Sequence, residues 1–252
     1  MTNLGLGTWH VPKKIKSTDI VCELMAGTRR IAQAAAKAGL HACSFEIDGH
    51  PEQDVLSNVN TAWVDQHIDN RKLALLWIGL VCASWSRARR NTSGKPGFPP
   101  PLRDSHKFIM GLPDLSPRDV QRVKDGNRQM RWAARRFRRA AAHQIACVIE
   151  NPEGSRLWET PEFKSLMKRH PHVVIHYCAF GTSWRKATRL LFCHIELQDL
   201  VKFRCQGRGV CSYTGLPHQQ LSGADVQTKR LWSSIASAYP PKLCSEVAAR
   251  IR

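Results

Sequence analysis

The feature that most constrains this chain is a continuous apolar run over residues 73–81, which follows the charged pair Arg71 and Lys72. A run of this length is typical of a strand buried on both faces of a parallel sheet. A buried helix carries the same apolar signature, so the run alone leaves that alternative open. The strand interpretation predicts an α/β fold with this segment at its centre.

Cys82 follows the run directly, and Ser84, Ser86, Arg87 and Arg89 come just behind it. In open α/β sheets the ligand crevice lies outside the carboxyl ends of the strands. A thiol there, close to cationic side chains, is placed where a nucleophile is expected. The alternative is that Cys82 is a small buried hydrophobe, as most free cysteines are.

The charge balance indicates the class of partner. The 252 residues include 38 Lys and Arg against 20 Asp and Glu, a net charge of +18. Such an excess predicts a polyanionic partner. No apolar segment is long enough to cross a bilayer, so we expect the partner to be DNA, or RNA, rather than a membrane. We expect the protein itself to be a monomer.

Cysteine usage indicates the compartment. The nine cysteines are an odd number without a small-protein disulfide framework, which predicts a reducing environment. The amino-terminal segment lacks an apolar signal core, which argues against secretion. We therefore expect a cytoplasmic or nuclear protein, with bacterial, viral and mobile-element origins all open.

The length fits one domain with a small appendage. We expect a basic leader over residues 1–18, a core over 19–195, a small insertion over 196–225 and a closing segment over 226–252. Apolar runs predict strands at 19–26, 41–47, 73–81, 145–149, 173–180 and 190–195. Periodicity and capping residues predict helices at 29–38, 54–70, 118–143, 161–169 and 242–251.

The first strand and helix are joined through Gly27, and Glu46 ends the second strand about twenty residues later. In nucleotide-binding units a glycine at this turn lets the backbone approach the ligand, and the acid binds ribose hydroxyls. With one glycine the motif is weak, and a structural turn is the alternative.

A loop rich in Pro and Gly, residues 91–117, separates the central strand from a long basic helix. We expect phosphate contacts from that helix, Arg131 and Arg135 included, because its basic residues greatly outnumber Asp119 and Asp125. A solvated helix face is the alternative. The basic residues are Arg118, Arg122, Lys124, Arg128, Arg131, Arg135, Arg136, Arg138 and Arg139.

Two later segments carry further polar candidates. Glu150 and Asn151 end a short apolar strand, and a partly buried Glu there would have a raised pKa and could donate a proton at neutral pH. Arg185, Lys186 and Arg189 follow the turn at Gly181 and add positive charge to the same crevice.

Taken in order, these motifs resemble those of the DNA cytosine-5 methyltransferase family over about residues 19–251. ELMAG (23–27) resembles the first cofactor motif, FEID (45–48) the acid motif, and GLVCASWSRAR (79–89) the Pro-Cys loop. ENPEGSRLW (150–158), FGTSWRKATRLLF (180–192) and AYPPKLCSEVAARI (238–251) resemble the Glu-Asn, arginine and closing motifs.

The resemblance implies a Rossmann-like class I methyltransferase fold, with seven mostly parallel strands, helices on both faces and a small C-terminal insertion. It also implies S-adenosylmethionine as the methyl donor. Carried over, the cofactor-binding residues are Met25, Ala26, Gly27, Thr28, Glu46, Ile47, Asp54 and Leu80.

The resemblance further implies that Cys82 attacks carbon 6 of cytosine, Glu150 binds ring nitrogen 3 and Asn151 braces the loop. Arg185, Lys186 and Arg189 would stabilise the flipped base and a neighbouring phosphate. The chemistry requires such groups, because cytosine carbon 5 becomes nucleophilic enough only after a thiolate adds to carbon 6. We expect Arg87 and Arg185 to favour that thiolate.

Departures from the family pattern and a second substrate class leave alternatives open. Leu80 and Val81 stand where the family has prolines, so a catalytically inactive nucleic-acid-binding relative is one alternative. RNA (tRNA) cytosine-5 methylation would use the same residues. The insertion has only about thirty residues, which predicts a weak or short sequence preference.

Within the insertion, Cys205, Cys211 and His218 could bind zinc, with Cys193 or His194 as the fourth ligand. Their spacings are looser than those of paired C-x-x-C sites. We therefore expect structural cysteines and no metal, with zinc as the alternative.

Overall fold

The structure is a computed structural model that describes residue 16 and residues 19–48, 50–89 and 99–251. Its strands are β1 Ile20–Leu24, β2 His41–Phe45, β3 Leu73–Gly79, β4 Cys147–Pro152, β5 His172–His176 and β6 Ala187–Cys193. Its helices are α1 Arg30–Lys37, α2 Asn58–Asp69, α3 Pro117–Ala142, α4 Pro161–Arg169, α5 Trp232–Ile235 and α6 Pro241–Arg250. The α/β class is confirmed.

All the described strands belong to one sheet, in the order β2-β1-β3-β4-β6-β5. β1, β2, β3 and β4 run parallel to one another, whereas β6 is antiparallel to both β4 and β5. The predicted seven-stranded sheet is wrong for the described residues, which form a six-stranded mixed sheet. Between β2 and β3 the chain forms only a short 3₁₀ turn, Pro51–Gln53, and α2, so no segment is left for another strand.

The apolar run predicted to be central forms β3. Its side chains from Leu73 to Ile78 are buried, as expected for a strand covered on both faces. The chain passes from β1 outward to β2 and then returns to β3 on the other side of β1. The sheet therefore has a switch point between β1 and β3, where open α/β sheets bind ligands.

Helices cover both faces of the sheet. One apolar core combines side chains of α2, α3 and α4 with β3 and β4. The other combines α1 and α6 with the opposite side of the strands. β3 contributes Leu76 to the first core and Trp77 to the second, because neighbouring strand residues point to opposite faces.

The helix starts follow the capping signals. The Ser116 hydroxyl accepts the Asp119 N–H at 3.3 Å, and Pro117 opens α3 as its first residue. Two strand predictions were misplaced. The strand predicted over 173–180 ends at His176 and continues as a 3₁₀ turn, Tyr177–Phe180. The last strand begins at Ala187, which places Arg189 inside it.

The predicted leader lies outside the described residues except for residue 16, and so do residues 91–98 of the predicted loop. Residues 99–116 contain no helix or strand. The predicted insertion contains the 3₁₀ turn Gln198–Phe203 and is otherwise irregular. None of the helices within the described ranges has the length and hydropathy needed to traverse a bilayer.

Candidate active site

The turn between β1 and α1 has an unusual backbone. Met25, Gly27 and Arg29 all have positive φ, at 53°, 52° and 57°. Only Gly27 adopts this conformation without strain, and strained backbone clusters at ligand sites. The Gly27 N–H donates to Glu46 Oε2 at 2.5 Å, so the two residues predicted for cofactor binding meet directly.

Glu23 binds the start of α1 through a hydrogen bond, a role that sequence analysis missed. Its buried carboxylate accepts the Ala32 N–H at 2.8 Å, in the first turn of α1. That helix has no side-chain cap at Arg29, so Glu23 supplies the negative charge that a helix N-terminus favours. Burial nevertheless raises the pKa of Glu23 to about 7.

A cavity of about 290 Å³ lies beside this turn. Four of the predicted cofactor residues line it: Met25, Glu46, Ile47 and Asp54. The residues that sequence analysis did not single out for cofactor binding are Phe45, Gln53, Val55, Leu56 and Val81, with Asp125, Arg128 and Gln129 from α3. Ala26, Gly27, Thr28 and Leu80 lie near the cavity in the chain but do not line it.

The rim of this cavity exposes apolar side chains. Ile47 is 55% exposed and Val81 is 48% exposed, although both line the cavity. Glu46 also lines the cavity and accepts a second backbone N–H, from Asp48, at 3.0 Å. An acid with fixed orientation beside exposed apolar surface fits a ligand with hydroxyls at one end and a flat apolar group at the other.

Sheet register brings the proposed acid to the nucleophile loop. β3 and β4 pair in parallel, and Gly79 lies opposite Glu150 at the end of their ladder. Cys82 comes three residues beyond Gly79. Glu150 is buried, and its Oε2 accepts the Tyr239 hydroxyl at 3.2 Å. Oε1 has no hydrogen-bond partner among the described residues.

Gly79 is required by this close packing. A Cβ built at Gly79 would lie 2.4 Å from the Tyr239 hydroxyl and 3.2 Å from the Met25 carbonyl oxygen. Any side chain at that position would displace the hydroxyl that binds Glu150. Gly79, at the end of β3, therefore leaves room for the Tyr239 hydroxyl that binds Glu150.

The cation that acts on the pKa of the Cys82 thiol is not one of those expected. Burial raises the pKa of the Cys82 thiol, the nearby Lys186 ammonium lowers it, and Glu150 raises it. Burial also raises the pKa of Glu150, and Lys186 lowers it. Lys186 is therefore the cation that acts on both groups, not Arg87 or Arg185 as expected.

The two arginines expected to favour the thiolate are engaged elsewhere. Arg185 Nε donates to His176 Nδ1 at 3.3 Å. Arg87 forms an ion pair with Glu159. Neither guanidinium is among the groups that shift the pKa of Cys82.

Asn151 braces the loop, as the family resemblance implied. Its buried Nδ2 donates to the Leu80 carbonyl at 2.6 Å, while Oδ1 has no partner within the described residues. Arg189 lies opposite Asn151 in the β4–β6 ladder and is partly buried over the Trp158 ring. Burial lowers the pKa of Arg189, and its Nη1 lies 3.3 Å from the Met167 sulfur.

The segment after Cys82 is anchored by Arg103, a residue that sequence analysis did not single out. Arg103 is 1% exposed and stacks over the Trp85 ring at 3.4 Å. It donates to the Ser84 carbonyl at 3.0 Å and to the Ser84 hydroxyl at 3.2 Å. Ser84, which we predicted at the nucleic-acid interface, is buried, so its side chain faces the interior and supports the loop.

The other residues predicted to contact nucleic acid after Cys82 lie nearer the surface. Arg87 is about half exposed beside Glu159. Arg89 lies 3.5 Å from Asp119 with little exposure of its side chain. The partly exposed Ser86 comes just before Arg87 in the chain. Part of the positive charge expected here is therefore neutralised within the protein.

The basic helix α3 has two different faces. Arg136 is buried and forms a bidentate pair with Asp65 at 2.8 and 3.1 Å. Arg139 pairs with Asp69. The exposed stripe, by contrast, has no ion pair among the described residues and consists of Lys124, Arg128, Arg131, Arg135 and Arg138.

The exposed stripe borders a shallow groove on the protein surface, which Arg131 and Arg135 help to line. Arg128 lines both this groove and the cavity beside Glu46. The positive surface therefore begins at the cavity and continues along α3.

No protein-family model matches the chain, and no curated protein matches it. What the site can do is therefore inferred from its own chemistry. It combines a fixed acid beside a cavity, a thiol and a buried carboxylate at neighbouring strand ends, and a nearby basic helix face.

The zinc candidates are brought together with a different fourth residue. The ligand atoms of Cys205, Cys211 and His218 lie within 4.8 Å of one another and of the Cys178 sulfur. The predicted fourth ligands are wrong because both have other partners. The Cys193 thiol donates to the Ile145 carbonyl at 3.7 Å, and the His194 ring lies 2.9 Å from the Ala141 carbonyl.

Proposed function

We propose that this protein is a DNA cytosine-5 methyltransferase that uses S-adenosylmethionine and forms a covalent adduct through Cys82. The observation that carries the proposal is the register of β3 and β4, which brings Cys82 and the buried Glu150 to neighbouring strand ends. The six-stranded mixed sheet, with its reversed β6, supports a reduced Rossmann-like methyltransferase core.

The cavity beside β1 and β2 supports the choice of cofactor. Glu46, fixed by the Gly27 N–H, can accept hydrogen bonds from ribose hydroxyls. The exposed Ile47 and Val81 would be covered by an adenine ring. S-adenosylmethionine, when bound, supplies a methyl group carried on a sulfonium centre.

The remaining residues account for activation of the base. The Cys82 sulfur bonds to carbon 6 of cytosine after its thiol proton is lost, and electron density moves to carbon 5. Burial raises the pKa of Glu150, and the protonated acid donates a hydrogen bond to ring nitrogen 3 and offsets the charge that develops there. After methyl transfer, carbon 5 loses its proton to solvent. The electrons of that bond form the double bond between carbons 5 and 6 as the Cys82 sulfur leaves carbon 6 as a thiolate.

Lys186 and Arg189 have separate roles in this proposal. Burial raises the pKa of the Cys82 thiol, and the Lys186 ammonium opposes that rise and so favours the attacking thiolate. Arg189 lies across the ladder from Asn151 and would stabilise the flipped base or a neighbouring phosphate. The target base has to leave the DNA stack, at a cost of about a few kcal/mol. The stripe on α3 offsets part of this cost by binding phosphates.

The test is trapping on duplex DNA that contains 5-fluorocytosine, where the fluorine cannot leave as a cation and the adduct persists. We expect a denaturant-resistant complex that requires both S-adenosylmethionine and Cys82. Cys82→Ser should abolish the complex, while Cys43→Ser, a control in β2, should retain it. A complex formed equally well by Cys82→Ser would contradict the proposal.

Tritiated methyl transfer to DNA and to tRNA separates the two substrates in a parallel assay. Label in DNA supports the proposal, and label confined to tRNA reassigns the same chemistry to RNA. DNA binding with no transfer and no trapping would identify an inactive relative, in line with Leu80 and Val81 in place of prolines.

A further inference from the structure

A second polar cluster lies on the chain away from Cys82. Cys178 sits in the 3₁₀ turn after β5, and Cys205, Cys211 and His218 belong to the irregular insertion. The three sulfurs and one imidazole nitrogen all lie within 4.8 Å of one another. The Cys205 sulfur is 3.7 Å from His218 Nε2.

We propose that these four side chains bind one structural zinc ion. Zinc bound at about 2.3 Å by sulfur and about 2.0 Å by nitrogen in a tetrahedron sets its ligand atoms roughly 3.5–3.8 Å apart. The separation of Cys205 and His218 falls in that range. Three cysteines and one histidine are an established zinc ligand set, and four protein ligands leave no open position for catalysis.

Backbone hydrogen bonds support thiolates at this site. The Ser212 N–H donates to the Cys205 sulfur at 3.4 Å, and the Tyr213 N–H donates to the Cys211 sulfur at 3.5 Å. The Ser212 hydroxyl also donates to the Cys205 sulfur at 3.4 Å. Donors aimed at sulfur stabilise its ionised, metal-binding form.

The burial of the sulfurs also needs an explanation that apolar packing does not supply. Cys178, Cys205 and Cys211 form an apolar cluster of their own, separate from the two main cores. Three sulfurs alone are a very small core for an irregular segment. An ion that bonds to all three, and to His218, would hold the segment together where ladders and helices do not.

The ion would join the insertion to the part of the core that carries Lys186. The Cys205 N–H donates to His176 Nδ1 at 2.9 Å, at the end of β5. The Gln219 N–H donates to the Ser183 carbonyl at 2.9 Å, in the turn before Lys186. Zinc at Cys178 would fix the insertion against this turn at a third point.

The experiment is metal analysis of the full-length protein purified from zinc-supplemented medium without a chelator. We expect about one zinc per chain in the wild type, as for a closed four-ligand site. Cys178→Ser and Cys205→Ser should each lose most of it. Cys193→Ala, at a buried cysteine outside the cluster, should keep the wild-type content.

A measurement on the wild type guards against variants that fail to fold. Titration with a mercurial thiol reagent should release zinc stoichiometrically, detected by a metal-sensitive dye, and cobalt exchanged into the site should show tetrahedral thiolate absorption. A wild type purified without metal overturns the proposal. So does a thiol count below the nine free cysteines, which would indicate a disulfide in the cluster. Zinc loss in Cys193→Ala but not in Cys178→Ser would do the same.

Discussion

Arg103 and Glu150 are both buried and ionisable, yet their surroundings differ. Arg103 has five N–H donors, and all of them find acceptors: the Ser84 carbonyl and hydroxyl, the Ile109 and Val123 carbonyls, and the Asn127 side chain. Glu150 receives one hydrogen bond, from Tyr239, and one of its oxygens has no partner in the described part of the chain.

The difference distinguishes a residue that supports the structure, Arg103, from one that is free to interact with a ligand, Glu150. A buried polar group without a partner costs stability, so native proteins keep few of them, and those few concentrate at functional sites. Arg103 fixes the loop after Cys82 and leaves no donor free. Glu150 and Asn151 keep acceptors free at the end of β4, where a pyrimidine could use them.

The largest expected effect comes from Glu150→Gln, which tests the role of Glu150 in methyl transfer. Methyl transfer in a single turnover should slow by about 10²- to 10⁴-fold, the usual contribution of a positioned acid. Binding of S-adenosylmethionine, measured by calorimetry, should be unchanged, because Glu150 does not line the cavity. Glu153→Gln, in the turn just beyond, is the control and should transfer normally. Transfer within threefold of wild type in Glu150→Gln would remove the acid from the mechanism.

Arg103→Met tests the contribution of Arg103 to stability. It removes five hydrogen bonds and leaves their buried acceptors unpaired, so the free energy of unfolding should fall by about 3 kcal/mol. Urea denaturation measures this loss. Arg118→Met, at an exposed position on α3, should change stability little. Equal stabilities for the two variants would mean that Arg103 does not anchor the loop.

Glu23 lies between these extremes, with one oxygen bound to α1 and the other unpartnered among the described residues. Its pKa is raised to about 7 by burial, so the folded state binds a proton that the unfolded state releases near pH 4.5. Stability should therefore fall as pH rises from about 4.5 to about 7, by about 3 kcal/mol from this group.

Glu23→Gln should remove this share of the pH dependence and keep the hydrogen bond to α1. Glu196→Gln, at an exposed glutamate, should leave the pH profile as it is in the wild type. Denaturant unfolding at a series of pH values compares the three proteins. Parallel profiles for wild type and Glu23→Gln would show that burial does not perturb this carboxyl.

The smallest effect is expected on α3, where paired and unpaired arginines share one helix. Arg131→Ala with Arg135→Ala should weaken DNA binding about tenfold and reduce the slope of log K against log salt by about 2. Lys37→Ala with Lys72→Ala removes the same charge at the end of α1 and just before β3, and should have little effect. Matching salt slopes in the two double variants would exclude the stripe from the interface.

Much of the fold could be predicted because its signals are local. Apolar runs marked the positions of all six described strands, and Ser116 with Pro117 marked the start of α3. The seventh strand came from family resemblance and not from any apolar run, and it is the part of the architecture that failed. The apolar runs by themselves predicted only six strands.

The site was predicted only where its residues lie at strand ends. Gly27, Glu46 and Cys82 follow strands and Glu150 lies near the end of β4, and parallel register brings such positions together. Arg103 lies in a Pro-rich segment that looked like surface loop, and its partners are up to about twenty residues away. Cys178 joins the insertion cysteines across an even longer separation. Contacts of that range leave no periodic signal in a single sequence.

The hydrogen bond from Tyr239 to Glu150 links residues 89 positions apart, and Tyr239 lies just before α6. During synthesis all six described strands leave the ribosome before Tyr239 does. The Glu150 carboxylate therefore has no access to this hydroxyl while the strands around it are being made. A nascent chain gains the contact only after the surrounding strands have been translated.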